Sequence, residues 1–494
     1  MLTMLSILPF VIFLWLLFIQ KQTLLKTAGW TLLVTTILVV VGWQIDFGWL
    51  ITAYGKGFLI ALDILIIVFG AIFFLEIMRD LKIIANISGY LETISKDYRV
   101  QIILLAWMLE NFLEGTAGFG APSTVVAPLM VGLGLSPLNA VVISLLGNST
   151  SVVFGAAGTP IRIGLAGLDW NGVPALAATI NILGLIIPVF MLWFLTLDRP
   201  NGRRDFWEAV PFALWAGIAF VIPSWLTVRL GQEFPSILGA VIGMIVLLIT
   251  IKLGVFMPKK ERVYRDETIS PISIPLWRAA TPYILLVLFL IGGKFALSNW
   301  IFPISLGNVV HNFNFYNPGL AFLASGLIVA LLWRNNEKII AQAAAIAGRK
   351  SLESFLIIAI MSIIVQLLIF SGHNQLHIQS AIDVIADLFT TNLLPIWASW
   401  LGAFGSFMTG SATVSNIMFG KILADAAQAM NLETAKILAL CLVGGAAGNM
   451  IALADMLTAE TVVGIKNQER TLIKYLIIPC VIYVLLAGLI GWLS

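Results

Sequence analysis

The chain has 494 residues, 60% of them hydrophobic and only 11% charged. A water-soluble chain carries roughly 25% charged residues, so this composition excludes a soluble enzyme or a nucleic-acid-binding module. The net charge of +3 marks no polyanionic partner, and the two cysteines, Cys441 and Cys480, lie in apolar surroundings that suit packed thiols rather than a disulfide.

Apolar runs of 18 or more residues recur from end to end, the signature of an all-α polytopic membrane protein with about 12–16 hydrophobic segments. The first run, Leu2 to Ile19, has its lysines after it, at Lys21 and Lys26, and no small-residue cleavage site follows. It reads as a membrane helix rather than a signal peptide. Basic residues then gather in four connections: Arg79, Lys82, Lys96 and Arg99; Arg199, Arg203 and Arg204; Lys252, Lys259, Lys260, Arg262, Arg265 and Arg278; Arg334, Lys338, Arg349 and Lys350. The positive-inside rule makes these cytoplasmic. Leu297 to Asn317 and Gly372 to Asn392 carry neither lysine nor arginine and face outward, which puts both termini outside.

The stretch ENFLEGTAGFGAP, Glu110 to Pro122, interrupts this apolar chain with two acids and a broken backbone. Glu110 and Glu114 are four residues apart, on one helical face. An acid inside a membrane helix costs at least about 2.5–3.5 kcal/mol on insertion scales, so its presence suggests a function such as proton carriage. A structural hydrogen bond to the broken backbone is the competing role. Arg162 follows a second break at Gly158-Thr-Pro160. It suits bidentate recognition of a carboxylate, or else snorkelling to water.

An echo follows roughly 290–295 residues later, where SFMTGSATVSN begins at Ser406. The small-residue segment Leu138 to Pro160 likewise corresponds to Glu433 to Ala452. The amphipathic segment before the first copy, Ile83 to Tyr98, is basic, with Lys82, Lys96 and Arg99 in or beside it, whereas Ile378 to Phe389 before the second holds Asp383 and Asp387 and no lysine or arginine. Opposite charge bias on similar segments is expected of an inverted-topology repeat with broken or re-entrant helices, whose breaks form a transporter's substrate site. The expected organisation is 1–56, N-terminal helices; 57–198, first repeat; 199–352, intervening helices and loops; 353–494, second repeat. Ser123, Thr124, Asn148, Ser149, Thr409, Ser411, Thr413, Ser415 and Asn416 cluster at the breaks together with Gly118 and Gly120. They are candidates for holding a hydroxyl and a carboxylate, or small polar packing residues. Asp455 and Glu460 follow the matching break in the second copy and are further candidates for proton or cation coupling, or else exposed residues at a helix end.

The run Phe112 to Val142, FLEGTAGFGAPSTVVAPLMVGLGLSPLNAVV, resembles the signature region of the L-lactate permease family. The similarity continues through Asn148 to Ile161, Phe404 to Lys421 and Gly444 to Asp455, and so spans most of the chain. It implies proton-coupled import of small 2-hydroxy monocarboxylates, lactate and glycolate, across a bacterial inner membrane. The implied partners are the carboxylate, protons and the lipid bilayer, with no cofactor. Ala412 stands where the family usually has an acid, and Asn449, a further substrate-site candidate, where it usually has a lysine; Arg162 stands where an apolar residue is more usual.

Other features carry less. His373 and His377 have metal-site spacing, but HNQLH lacks the glutamate of a zincin and reads as an external loop. Gly115, Gly118 and Gly120 lack the GK[ST] of a phosphate loop. Lys56 and Lys294 suit helix ends, and Asp63 a pairing inside the bundle. No nucleophile–base grouping marks an enzyme. The alternatives are a transporter of the same fold with another anion or sodium coupling, and an anion channel.

Overall fold

The computed structural model describes all residues except 1, 21, 119, 198, 263–272, 298, 308, 334–336 and 494, so Lys21, Arg265 and Arg334 of the charge pattern lie outside the described residues. Among the described residues nine helices are long and apolar enough to span a bilayer, a bent pair makes a tenth, and three shorter apolar helices accompany them.

The chain runs α1 (Leu2–Leu14), α2 (Leu24–Val41), α3 (Phe47–Asp80) and the amphipathic α4 (Ile83–Ile94). Then come α5 (Tyr98–Ile103), a wide π-turn at Leu104–Leu109, α6 (Glu110–Thr116), α7 (Ala121–Gly132), α8 (Pro137–Asn148) and α9 (Gly155–Arg162). The middle of the chain holds α10 (Val173–Ile180), α11 (Ile187–Thr196), α12 (Gly202–Thr227), α13 (Pro235–Leu253) and α14 (Leu276–Leu297). A β-hairpin of β1 (Ile301–Leu306) and β2 (Val309–Asn314) follows, then α15 (Pro318–Leu332) and α16 (Glu337–Phe370). The chain closes with α17 (Ala381–Ala386), α18 (Leu394–Thr409), α19 (Ala412–Ala429), α20 (Thr434–Asn449), α21 (Leu453–Val463) and α22 (Glu469–Leu493).

One order of elements occurs twice: a 34-residue helix, a short helix, a helical hairpin and an interrupted helix. The two 34-residue helices, α3 and α16, pack along each other. Residues 57 and 353 lie inside them.

The hairpins double back because glycine breaks the helix and small residues let the arms touch. Ser415 Oγ donates to the Gly402 carbonyl at 2.7 Å across the α18–α19 hairpin. In the first hairpin Ser123 on α7 donates to Glu110 Oε1 on α6 at 3.2 Å. The interrupted helix α8–α9 bends by 51° at its break.

Three local features depart from a plain helical reading. The basic-poor connection after α14 forms the β-hairpin, whose strands are rich in the β-formers isoleucine, valine and phenylalanine, and Gly307 turns the chain at a φ of 61°. Arg99 is fully buried: its guanidinium grips Asp97 with Nε at 2.9 Å and Nη2 at 2.6 Å, and its Nη1 donates to the Asp205 carbonyl at 2.8 Å. His373 stacks on Trp49 with ring centroids 3.7 Å apart. Cys441 and Cys480 are buried and free.

Candidate functional site

The two hairpin tips and the two interrupted helices converge on one small cavity. It measures about 30 Å³ and is lined by Glu114, Gly118, Gly120, Gly155, Thr159, Pro160, Gly410, Ser411, Thr413 and Asn449, among others. That is room for roughly two water molecules, so a larger ligand requires the tips to part.

Local chemistry places the tips. Gly118 and Gly120 adopt φ of 58° and 70°, which stops α6 and lets α7 start with Pro122 in its first turn. Gly410, at 71°, ends α18, and the Ser411 side chain accepts from the Val414 N–H to open α19. The first N–H groups of α7 and α19 have no intrahelical acceptor and carry the positive ends of their helix dipoles. Both helix starts line the cavity, through Gly120 and through Ser411 to Thr413.

The break at the head of α9 is more strained. Ala156, Ala157 and Gly158 are left-handed in succession, with φ of 41°, 52° and 77°. Left-handed backbone costs an alanine roughly 1–2 kcal/mol, so packing must hold this turn in place. A Cβ at Gly118 would lie 2.9 Å from Ala156 Cβ, so the strained turn rests on the first hairpin tip.

Three buried carboxylates surround the cavity. Glu110 lies behind it: its Oε1 accepts from Ser144 at 2.6 Å and from Ser123, and its Oε2 has no partner. Glu114 lines the cavity, packs its carboxylate against Gly155 and has an unpartnered Oε2. Asn148 is its neighbour, with side-chain N and O atoms that make no hydrogen bond of normal geometry. Asp455 accepts from Asn449 Nδ2 at 2.8 Å through Oδ2, while its Oδ1 lies against both hairpin tips, at Gly120 and Gly410. Glu460 is buried further along α21.

The other candidates divide. Thr409, Ser415 and Ser149 donate to backbone carbonyls of their own hairpin or helix, at Gly405, Gly402 and Leu146, and so shape the breaks. Thr124 and Thr409 line a vestibule of about 460 Å³ that shares Gly118, Gly120, Gly410 and Ser411 with the small cavity. Arg79 and Lys350 stand in that vestibule, both paired to buried Glu76 at 3.5 and 2.9 Å. On the opposite side Asn416 Nδ2 donates to the Pro160 carbonyl at 3.0 Å. A Cβ at neighbouring Gly164 would lie 2.7 Å from Asn416 Cβ, so the two halves are in tight contact there. Arg162 lies beyond this seal, in a separate cavity with Lys56, Asp63 and His311, and not among the residues lining the central one.

Sequence reasoning missed Thr159, Gly155 and Ser144. GAAG signalled small residues but not a left-handed turn, because alanine by itself favours right-handed helix. Ser144 sits in an apolar run with no local signal, and only the fold brings it to Glu110.

The family model described as L-lactate permease matches residues 3–296 and 293–494. The chain is 28% identical to the "Putative L-lactate permease" of Haemophilus influenzae over 461 residues, 86% of this chain and 85% of the relative. It is 25% identical to the "L-lactate permease" of Escherichia coli K12, covering 100% of this chain and 95% of that one. It is also 25% identical to the "Glycolate permease GlcA" of the same organism, over 94% and 90% of the two chains.

Proposed function

The chain belongs to the L-lactate permease family and is a multi-pass protein of the bacterial inner membrane, and from that premise we propose that it imports small 2-hydroxy monocarboxylates, L-lactate first and then D-lactate and glycolate, by proton symport. The observation that carries this reading is the central cavity itself. Two helix N-termini and a buried carboxylate with an unpartnered oxygen meet there, from both halves of the chain.

No lysine or arginine lines that cavity among the described residues, and the resemblance puts Asn449 where the family usually has a lysine. A carboxylate ligand is then held by the first N–H groups of α7 and α19, with Thr413, Thr159 and Asn449 for its hydroxyl. It sits close to Glu114. Two unit charges about 5 Å apart at an effective dielectric of about 20 repel by roughly 3 kcal/mol, about a hundredfold in affinity. A proton on Glu114 removes that repulsion, so anion and proton bind together. Glu110 and Asp455 are the neighbouring carboxylates through which the proton reaches and leaves Glu114.

The repeated element order and the opposite charge bias around α4 (Lys82, Lys96 and Arg99) and around α17 (Asp383 and Asp387) support two inverted units. In this arrangement the first hairpin dips in from the cytoplasm and the second from outside, with their tips at mid-membrane. The cavity communicates with the vestibule holding Arg79 and Lys350, which the positive-inside rule makes cytoplasmic. This conformation therefore faces inward, and alternating access requires the Asn416–Pro160 contact to open while the inner vestibule closes.

The test is uptake of labelled L-lactate into proteoliposomes with and without an imposed inward proton gradient, for wild type and Glu114→Gln. Gradient-driven accumulation that Glu114→Gln abolishes is the expected result. Accumulation driven only by sodium, or flux that equilibrates without concentrating substrate, overturns proton symport.

A further inference from the structure

Arg162 is not among the residues that line the central cavity. Arg162 lies in a cavity of about 340 Å³ lined also by Lys56, Asp63, Trp170 and His311. One of its Nη nitrogens donates to the Tyr316 carbonyl, and its guanidinium packs 5.5 Å from the Tyr316 ring centroid. Among the described residues its Nε and other Nη have no protein acceptor. Lys56 donates to the Val310 carbonyl at 2.9 Å, which leaves two of its three ammonium hydrogens unused. Asp63 Oδ2 lies 3.1 Å from His311 Nε2, without hydrogen-bond geometry. The cavity thus contains two cations with unspent donors and the carboxylate of Asp63, while Glu233, paired to Lys294 at 3.3 Å, acts on Arg162 from outside the lining.

The β-hairpin roofs this cavity. Val310, His311 and Asn312 belong to its lining, and Leu306 packs on Gly55. Pro160 lines the central cavity, and Asn416, which donates to its carbonyl, lines a space that shares Lys56, Ile163 and Val310 with this outer one, so the Asn416–Pro160 contact stands between the two. By charge pattern this is the outer face, since the hairpin connection carries no basic residue.

We infer that this outer cavity is a second anion site, in which Arg162 and Lys56 hold the carboxylate of a small monocarboxylate before the seal opens. Arginine supplies the planar two-donor edge that a carboxylate matches, and lysine adds a point charge. The site loads substrate from outside. The choice of lactate as its ligand rests on the proposed permease function, but the existence of the anion site does not.

The experiment uses the full chain in right-side-out vesicles. Lys56 is acetylated with a membrane-impermeant amine reagent and its modification rate is read by mass spectrometry, with L-lactate, acetate or chloride outside at constant ionic strength. Protection of Lys56 at least fivefold by L-lactate or acetate, lost in Arg162→Gln, is expected. An unchanged rate with all three anions overturns the site, as does equal protection in Arg162→Gln. Protection by chloride as strong as by acetate overturns the carboxylate assignment.

A second readout separates loading from folding damage. Arg162→Gln should raise the half-saturating external L-lactate about tenfold, with the half-saturating internal concentration for efflux unchanged. Equal shifts on both sides assign Arg162 a structural role and overturn the loading site. Lys56 protection without L-lactate uptake by the wild type leaves the anion site standing and sinks only the permease reading.

Discussion

Replacing Gly120 by alanine tests whether Asp455 rests on the first hairpin tip. Gly120 has a φ of 70°, and a side chain in left-handed backbone costs roughly 1–2 kcal/mol. The new Cβ would also lie 2.5 Å from Asp455 Oδ1 and 3.3 Å from its Cγ, so the carboxylate must turn away from Asn449. A hydrogen bond to a charged group contributes about 1.5–3 kcal/mol, which brings the total to about 2.5–5 kcal/mol. With about 2.1 cal/mol/K of unfolding entropy per residue, a chain of 494 residues loses about 1 °C of Tm per kcal/mol. Thermal unfolding of the detergent-purified protein should therefore shift down by about 2–5 °C. In an Asp455→Ala background the collision is gone, and Gly120→Ala should cost only about 1–2 °C. Gly132→Ala is the control: no atom lies within 4 Å of its Cβ, and its Tm should hold or rise. Equal losses in both Asp455 backgrounds would refute the contact.

Other substitutions test other parts of the site. Ala157→Gly relieves a left-handed alanine at φ 52°, so it should raise stability by roughly 1 kcal/mol, where glycine in an ordinary helix lowers it by about as much; a lower Tm than wild type would show that the turn is not left-handed. Arg99→Ala leaves Asp97 buried without its partner, a loss of roughly 3–5 kcal/mol that should appear as poor membrane expression and a reduced Tm. Asn416→Ala removes the bond to the Pro160 carbonyl. In a Thr413→Cys background it should speed labelling by an impermeant thiol reagent from outside by about fivefold, the equivalent of ~1 kcal/mol. An unchanged rate would place the outer seal elsewhere.

The membrane fold was legible in the sequence because lipid imposes a one-dimensional rule: backbone groups must be satisfied within each segment, so spans appear as apolar runs. The breaks were legible for the same reason. Gly118, Gly120 and Gly410 stand out because left-handed backbone in an apolar run calls for glycine. The acids at 110 and 114 stood out by their desolvation cost alone. The β-hairpin after α14 was not foreseen, since a six-residue strand in a loop carries a weak periodic signal.

Tertiary structure alone decided which of these residues meet. Glu110 and Ser144 are 34 positions apart, and Asn416 and Pro160 are 256 apart; no local pattern links such pairs. Arg162 and the central cavity are neighbours in sequence, yet the structure puts them on opposite sides of a seal. The strained turn at Ala156–Gly158 exists because its surroundings outweigh alanine's own preference. Composition and breaks specify a membrane protein with a polar centre, because insertion and backbone energies act locally along the chain. The pairing of two tips around one cavity depends on contacts between distant helices, which only packing selects.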